Sequence, residues 1–417
     1  MLKAYGLAEV PSSARRRIAI LSVNGTPWGG SEELWFQAAL ALAAEGAQVR
    51  VLKPRLPIGC RRVARLRAAG CAVSDLTSPM RLPRQIYEQI TRFSRQGSIV
   101  WLMFWAGLAL IRFRPQLVVL GQGGNWDGVH FGFLLKCLKL PYVIISQKAA
   151  ELYWPPDKLR RHVQKLYREA RHAFFVSNHN WQLTEMQIGE RLTHASVARN
   201  PFLVDFDRPL AWPAEPDTVN LACVGRLYPM EKGQDVLLQV MALPKWRSRR
   251  IRLTFYGEGV NEEGLRGIAQ MLGLENVHFA GHVTDVAQIW RDNQALVLPS
   301  RAEGLPLVIV EAMLAGRVVV TTSAGGSAEV IDDNACGFVS ESCSVSGIDG
   351  ALERAWARLD DWPQIGSAAA KHIRGLVPAD PGAELARELM RVSKESGLAW
   401  TEPKLSNQSV ASTALID

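Results

Sequence analysis

Short apolar, strand-like runs alternate with helical patterns along this chain, and the alternation occurs twice, on either side of a proline-rich stretch. A strand, helix, strand order places parallel strands side by side, because the helix carries the chain back across the sheet. The sequence therefore predicts two doubly wound, Rossmann-like α/β domains with a cleft between the carboxyl ends of their strands. The strand-like runs are Arg17–Val23, Gln48–Lys53, Gln116–Leu120, Tyr142–Ser146, Ala173–Ser177, Asn220–Val224, Arg252–Tyr256, Val277–Phe279, Ala295–Leu298 and Val318–Thr321.

The proline-rich stretch marks the predicted domain boundary. Four prolines fall within residues 201–218, where the hydrophobic periodicity also fails, as is typical of an interdomain connection. We expect an N-terminal domain over 1–205, a linker over 206–219 and a C-terminal domain over 220–380. The helical pattern of Trp356–Ser393 predicts that this second domain is closed by a helix, at 381–400. Residues 401–417 lack periodic apolar residues, so we expect a disordered tail there.

Composition narrows the class of protein. The six cysteines form no CxxC pair and have no histidines at metal-ligand spacing, so neither a disulfide framework nor a metal site is expected. The N-terminus has no apolar core of signal-peptide length, which favours a cytoplasmic location. The apolar run Ile99–Ile111 is shorter than the roughly 20 residues that cross a bilayer. It is either a helix buried beneath a sheet or, given the flanking Arg92, Arg95, Arg112 and Arg114, an interfacial segment.

Charge is distributed unevenly between the two halves. Residues 1–210 carry 29 basic and 14 acidic side chains, whereas residues 211–417 carry 19 and 26. A basic N-terminal half predicts an anionic partner, such as a membrane surface or a charged acceptor. Nucleic acid is not expected, because no helix-turn-helix, RNP or zinc signature accompanies the charge.

A glycine-rich turn follows the first predicted strand and opens a helix. Glycines such as Gly29 and Gly30 let a backbone approach a ligand, and a helix N-terminus favours phosphate or a developing oxyanion. The turn is neither GxGxxG nor a Walker motif, which disfavours dinucleotide and P-loop proteins. On its own it is equally compatible with a tight turn that binds nothing.

Two cations follow the first strand of the second domain. Gly225 and Arg226 come directly after the strand, and Lys232 stands near the start of the next helix. Arg226 and Lys232 could therefore converge at the carboxyl edge of the sheet. Two fixed cations there suit a diphosphate and can neutralise a leaving group without a metal ion.

Two carboxylates, Glu303 and Glu311, flank a Gly-Leu-Pro turn with seven residues between them. Glu303 in the loop could accept hydrogen bonds from sugar hydroxyls, and Glu311 on the following helix could hold a ribose. The backbone from Gly304 through Leu305 and Pro306 to Leu307 would point N–H groups at a phosphate. If this segment stood alone, the favoured interpretation would be a helix-start carboxylate at Glu303 and a solvated surface residue at Glu311.

Together these segments resemble the retaining GT-B glycosyltransferases of family four, the glycosyl transferases group 1. The resemblance covers most of the chain and is densest over residues 220–335. The segments that carry it are Gly29–Glu33, Arg199–Phe202, Gly225–Gly233, Tyr256–Gly259, Phe279–Asp285, Glu303–Glu311 and Ser323–Ile331.

The resemblance implies a role for each matching residue. Arg226 and Lys232 would bind the donor diphosphate, Glu311 the ribose, and Glu303 with the backbone of Gly304–Leu307 the transferred sugar. The segments Tyr256–Gly259, including Gly257, and Gly281–Val283 would line the base pocket. The implied reaction retains anomeric configuration and needs no protein nucleophile. No metal or other cofactor is expected, because Arg226 and Lys232 supply positive charge and no acidic DxD-type pair stands at a strand end of the donor domain.

The N-terminal domain departs from the family pattern. Many members place a histidine after the strands that correspond to Leu117–Leu120 and Val143–Ser146, and none stands there in this chain. Four residues are candidates for contacting the donor sugar or the acceptor instead, and His130 is interpreted as a packing residue. The candidates are Gln122, Asp127, Gln147 and Glu151, of which Asp127 and Gln147 are preferred.

The function predicted from the sequence is transfer of a sugar from a nucleotide diphosphate donor to a glycan or lipid-linked acceptor, in surface polysaccharide or glycolipid synthesis. The location expected is the cytoplasm, at the inner face of a membrane. Two alternatives stay open: a GT-B epimerase acting on the donor, and a degenerate binding protein that holds the donor without turnover.

Overall fold

The computed structural model describes residues 16–25, 28–57, 59–77, 95–213 and 217–395, with side chains of the helix that begins at Arg95 described from Ile99 onward. The predicted tail at 401–417 and the last residues of the predicted closing helix lie outside the described residues, as do Thr26, Pro27 and Arg92.

The N-terminal domain is built on a seven-stranded parallel sheet in the order β3-β2-β1-β4-β5-β6-β7. Two central strands, Leu117–Gln122 and Tyr142–Ser146, are buried along their whole length, as expected of strands covered by helices on both faces. Its strands are β1 (Arg17–Ser22), β2 (Gln48–Lys53), β3 (Ala72–Asp75), β4 (Leu117–Gln122), β5 (Tyr142–Ser146), β6 (His172–Phe175) and β7 (Ala195–Val197). Its helices are α1 (Gly30–Ala44), α2 (Arg61–Ala68), α3 (Arg95–Phe113), α4 (Val129–Cys137), α5 (Asp157–Glu169) and α6 (Asn178–Ile188).

The C-terminal domain is built on a six-stranded parallel sheet in the order β10-β9-β8-β11-β12-β13. Its strands are β8 (Val219–Val224), β9 (Ile251–Tyr256), β10 (Val277–Gly281), β11 (Ala295–Leu298), β12 (Val318–Thr322) and β13 (Phe338–Ser340). The helices after β8 are α7 (Pro229–Lys232), α8 (Gln234–Met241), α9 (Pro244–Arg247), α10 (Glu262–Met271), α11 (Val286–Asp292), α12 (Leu307–Leu314), α13 (Val345–Trp356), α14 (Trp362–Arg374) and α15 (Pro381–Glu395).

Strand order reverses at the middle of each sheet, between β1 and β4 in the first and between β8 and β11 in the second. The loops that leave adjacent strands at such a point diverge to opposite faces and open a crevice, which is where doubly wound sheets bind ligands. The glycine-rich turn leaves β1, and the segments that begin at Gly225 and Pro299 leave β8 and β11. The sequence motifs therefore lie at both crevices.

The last helix, α15, corrects the expectation that the helical stretch after Trp356 closes the second domain. It crosses back to pack against α1, and Leu385, Leu389 and Val392 are buried in the core of the N-terminal domain. Gly382 lies so close to Gln37 of α1 that a side chain at position 382 would collide with it. The helix thus joins the two domains by a second connection.

The apolar run Ile99–Ile111 lies within α3, and only one face of that helix is buried. Ala106 and Leu110 are fully buried in the N-terminal core, while Val100 and Phe104 are 66% and 61% exposed. The buried-helix interpretation therefore holds for one face and not for the other. No helix among the described residues combines the length and apolar character that a membrane crossing needs.

Candidate functional site

The predicted diphosphate cation Lys232 and the predicted sugar carboxylate Glu303 meet at the crevice of the C-terminal sheet. The Lys232 side chain passes beside Gly225 at the end of β8, and its Nζ lies 2.6 Å from Glu303 Oε1. Ser300, which follows β11, donates its hydroxyl to the same oxygen at 2.6 Å. Because β8 and β11 are neighbours, two motifs 71 residues apart form one ion pair.

Burial rules out one interpretation of the two carboxylates. Glu303 and Glu311 are only 6% and 3% exposed, so neither is a solvated surface residue. Glu303 also lies outside a helix, since α12 begins at Leu307. Burying a carboxylate is costly unless it is paired or protonated, and the two residues meet this requirement differently.

Glu311 faces the connection between the domains. Its Oε1 accepts a hydrogen bond from the backbone N–H of Leu203 at 3.1 Å. Burial raises the pKa of Glu311 to about 7, against the opposing effect of the Leu203 hydrogen bond, and the nearby charge of Glu33 raises it further. The pKa of Glu311, the residue expected to bind the ribose, therefore lies near neutral pH.

Arg226 is exposed, with 63% of its side chain accessible. Its Nη2 lies 3.1 Å from Glu231 Oε2, and the other oxygen of Glu231 lies 2.5 Å from Lys148 Nζ of the N-terminal domain. The carboxylate of Glu231 is thus bonded by one cation from each domain.

The loop between Glu303 and α12 abuts the N-terminal domain directly. A β-carbon built at Gly304 would lie 2.0 Å from the carbonyl oxygen of Gln147, so only glycine fits between the two loops. A β-carbon at Gly30 would likewise lie 2.8 Å from the Leu307 side chain. The glycine-rich turn and the Gly-Leu-Pro turn therefore face each other across the cleft. Leu305 and Pro306 lie in the second of these turns, directly before α12.

Buried charge fixes the glycine-rich turn itself. Glu32 in the first turn of α1 accepts a hydrogen bond from the Gly29 backbone N–H at 2.9 Å and one from the Ser31 hydroxyl. Its other oxygen lies 3.2 Å from Nζ of the fully buried Lys53, which also donates to the carbonyl of Asn24. The hydrogen bonds of Glu32 and Lys53 fix the turn from its inner side, so its outer side faces the cleft.

The two segments expected to line the base pocket are adjacent. The backbone N–H of Gly257 donates to the carbonyl of Gly281 at 2.8 Å. Gly257 has a φ of 134° and packs against the carbonyl of Gly225, where a β-carbon would collide at 2.1 Å. This edge of the sheet is therefore continuous with the Arg226 loop.

The candidate residues of the N-terminal domain differ in whether their side chains already have hydrogen-bond partners within the fold. Gln122 is buried and bonded to the Asp127 carbonyl and the Tyr167 hydroxyl, so its side chain is used within the fold. Asp127 is exposed, and its Oδ2 accepts from the Gly124 N–H at 2.6 Å. Gln147 is 6% exposed, and its Nε2 has no hydrogen-bond partner in the part of the chain that is described. A buried amide normally has a hydrogen-bond partner, so Gln147 stays a candidate for contacting a bound molecule.

Glu151, the remaining candidate, lies 2.8 Å from Nε2 of His179, near the N-terminus of α6. This hydrogen bond raises the pKa of His179 and lowers that of Glu151. His130, interpreted as a packing residue, is instead exposed.

Sequence reasoning missed two residues that span the domains. Lys148, described above, is one. The other is Glu329, whose carboxylate accepts hydrogen bonds from the backbone N–H groups of Asn178 and His179 at 3.1 and 2.5 Å and lies 3.4 Å from Arg199. Lys148 stands one position after Gln147, so the strand-end argument could have included it, whereas no signal pairs Glu329 with α6.

Three comparisons place this geometry among known proteins. The family model described as glycosyl transferases group 1 matches residues 218–357. The glycogen synthase of Mycobacterium tuberculosis is 32% identical over 313 residues, which are 67% of this chain and 72% of that protein. An uncharacterized glycosyltransferase of Haemophilus influenzae is 31% identical over 134 residues, 32% of this chain and 38% of that protein. The match thus spans little more than a third of that relative.

The fold is shared more widely than the sequence. The crystal structure of HepE from Anabaena, in complex with UDP and glucose, superimposes with a TM-score of 0.70 at 18% identity, over 90% of this chain and 100% of that one. The predicted architecture of two Rossmann-like domains in a GT-B arrangement is confirmed.

Replacing Glu311 with glutamine tests its burial, since the amide oxygen can still accept the Leu203 hydrogen bond. The folded-state pKa of about 7 lies above the ordinary 4.5, so the native protein binds the proton more tightly than the unfolded chain. The stabilisation that the folded protein gains from binding this proton is complete below about pH 4.5 and is lost as pH rises through about 7. We expect the unfolding free energy of the wild type, minus that of Glu311→Gln, to fall by up to about 1.4 kcal/mol per pH unit in this window.

Urea denaturation at a series of pH values measures this difference, with the exposed Glu258→Gln as the control for loss of a surface carboxylate. A difference that stays constant across the window would show that Glu311 ionises normally.

Proposed function

We propose that this chain, which belongs to the glycosyl transferases group 1 family, moves a sugar from a nucleotide diphosphate donor to an acceptor. The donor is bound at the crevice of the C-terminal sheet, and the acceptor is held by the N-terminal domain. One observation carries the proposal: the ion pair of Lys232 with Glu303, 2.6 Å apart at the strand ends, beside a loop that packs against the N-terminal domain at Gly304.

The chemistry follows from the charges at this crevice. Arg226 and Lys232 bind the diphosphate and stabilise the negative charge that develops on it as the glycosidic bond breaks. Glu303 accepts hydrogen bonds from the sugar hydroxyls, and its own carboxylate is oriented by Lys232 and Ser300. Glu311 holds the ribose as a hydrogen-bond acceptor once the nucleotide lies beside it.

We further propose that the anomeric configuration is retained, with the acceptor attacking the face that the diphosphate leaves and a phosphate oxygen removing the acceptor proton. This rests on the resemblance of residues 220–335 to retaining enzymes. The pathway proposed, surface polysaccharide or glycolipid synthesis, rests on the same resemblance. Since HepE was crystallised with UDP and glucose, UDP-glucose is the first donor to assay, followed by GDP and ADP sugars.

The two carboxylates are distinguished by substituting each with glutamine. Glu303→Gln should lower turnover strongly and leave binding of the bare nucleoside diphosphate nearly unchanged, because its contact lies beyond the diphosphate. Glu311→Gln should weaken donor and bare nucleotide alike, by roughly tenfold to a hundredfold for one lost hydrogen bond to a charged group. Calorimetric titration of both variants with both ligands measures this.

The opposite pattern of binding would reverse the two roles. If neither variant changed binding or rate, the donor-site assignment would be wrong.

Metal-independent transfer is the second expectation, because Arg226 and Lys232 already supply fixed positive charge to the diphosphate. Transfer from the sugar nucleotide should therefore proceed at its full rate in excess EDTA. Loss of activity in EDTA that magnesium or manganese restores would contradict this. The same assay separates a transferase from a binding protein without turnover and from an epimerase, since only a transferase modifies the acceptor.

A membrane surface is proposed as the place where the acceptor is met. The exposed face of α3 presents Val100, Phe104 and Ile111, and Phe133 of the adjoining α4 is 64% exposed. Arg112, at the end of α3, is exposed beside them, in a half of the chain with 29 basic and 14 acidic residues. An apolar face bordered by basic residues suits an anionic lipid surface carrying a lipid-linked acceptor.

We therefore expect the protein to sediment with anionic vesicles and not with neutral ones at low salt. Phe104→Glu should abolish this binding, because it places a negative charge in the apolar face. Val260→Glu is the matched control, since Val260 is 89% exposed on the other domain. Equal sedimentation with both kinds of vesicle, or by both variants, would contradict the proposal.

A further inference from the structure

Lys148 is a cation that the N-terminal domain places at the cleft, and no motif identified it. Lys148 follows β5 in the loop that packs against Gly304. Its Nζ lies 2.5 Å from Oε1 of Glu231, and Nη2 of Arg226 lies 3.1 Å from Oε2 of the same carboxylate. Lys148 and Arg226 therefore hold the two oxygens of one carboxylate between them.

Two cations placed on the two oxygens of one carboxylate are also well placed to bind a phosphate group. Carboxylates and phosphates both present paired oxygens to cationic donors, so two cations that bind a carboxylate can also bind a phosphate. Arg226 belongs to the proposed diphosphate site, and its guanidinium is mostly exposed. The second cation on Glu231 is thus already next to where the diphosphate is expected.

We infer that Lys148 is a third cation of the diphosphate site, contributed by the N-terminal domain. Glu231 pairs with both Lys148 and Arg226, as Glu303 pairs with Lys232. When the donor binds, a phosphate oxygen takes the place of Glu231 on Lys148 Nζ. Donor binding then joins the two domains through the diphosphate, with no covalent step. The inference rests on the proposed function, because it assumes that Arg226 and Lys232 bind a diphosphate.

The backbone around Lys148 is fixed in a way that supports this role. The Lys148 carbonyl accepts a hydrogen bond from the Asn125 N–H at 2.9 Å. The preceding residue, Gln147, presses its carbonyl against Gly304 and carries the buried Nε2 that lacks a partner in the described chain. Lys148 is therefore held between the proposed sugar loop and the proposed diphosphate cations.

The rival explanation is that Lys148 and Glu231 form only a strut that keeps the domains together. The two explanations differ in the sign of one effect. A strut is broken equally by removing either partner, so both variants should change ligand affinity in the same direction. If Lys148 binds phosphate, removing Lys148 weakens anion binding, whereas removing the charge of Glu231 frees both cations and does not weaken it.

The test uses inorganic pyrophosphate, which probes the diphosphate site without knowledge of the base, titrated by calorimetry in EDTA. Lys148→Met should weaken pyrophosphate binding about tenfold, as expected for one charge-assisted hydrogen bond. Lys148→Arg should recover most of the affinity, and Glu231→Gln should bind as tightly as the wild type or more tightly. Lys136→Met is the matched control, because it removes a lysine that is paired with Glu169 within the N-terminal domain. Thermal unfolding of each variant checks that it folds.

Equal weakening by Lys148→Met and Glu231→Gln would overturn the inference in favour of the strut. Unchanged binding by Lys148→Met would also overturn it, and the proposed function would stand if Lys232→Met weakened binding in the same experiment. If Arg226→Met and Lys232→Met also left pyrophosphate binding unchanged, the proposed diphosphate site would itself be wrong, and the inference would fall with it.

Discussion

The contact between Gly304 and the Gln147 carbonyl governs the geometry of this molecule. The carboxyl edges of two parallel sheets approach each other there, and a single β-carbon would hold them apart. The Lys148–Glu231 ion pair and the hydrogen bonds of Glu329 to α6 also form where the two domains approach each other. Because α15 also returns to the N-terminal domain, the approach is supported by two chain connections and by packed loops.

Charge is distributed across this contact in a way that suits an anionic ligand. Glu303 and Glu231 are buried carboxylates neutralised by cations that are themselves partly accessible, so those cations can exchange partners. Glu311 lacks such a cation among its described contacts, and its pKa rises to about 7 as a consequence of burial. A nucleotide diphosphate would bring hydroxyl donors to Glu311 and phosphate acceptors to the cations. The charges and hydrogen-bonding groups of this site thus match those of the proposed donor.

The architecture was predictable from the sequence because the order of strand-like and helical segments along the chain implies how parallel strands are connected. Strand-like runs separated by helical ones imply crossover connections, and crossover connections place all the connecting loops of one kind at one edge. That reasoning located Arg226, Lys232 and Glu303 at the same crevice. It did not identify Lys148, because the family pattern leads one to expect a histidine, not a lysine, at the end of β5. The direction of α15 was also misjudged, since an amphipathic helix carries no record of which apolar surface it will cover.

The sequence by itself determined the two α/β domains and the loops that leave the carboxyl ends of their strands, because periodicity and turn residues act over short distances along the chain. Only the tertiary structure decided which charges meet. The partners of Glu231, Glu311 and Glu329 lie between 83 and 151 residues away for their cross-domain contacts, at positions set by how one sheet edge approaches the other. Burial was decided at the same level: a glutamate reads identically in sequence whether solvent or a second domain covers it, and desolvation alone separates the two cases.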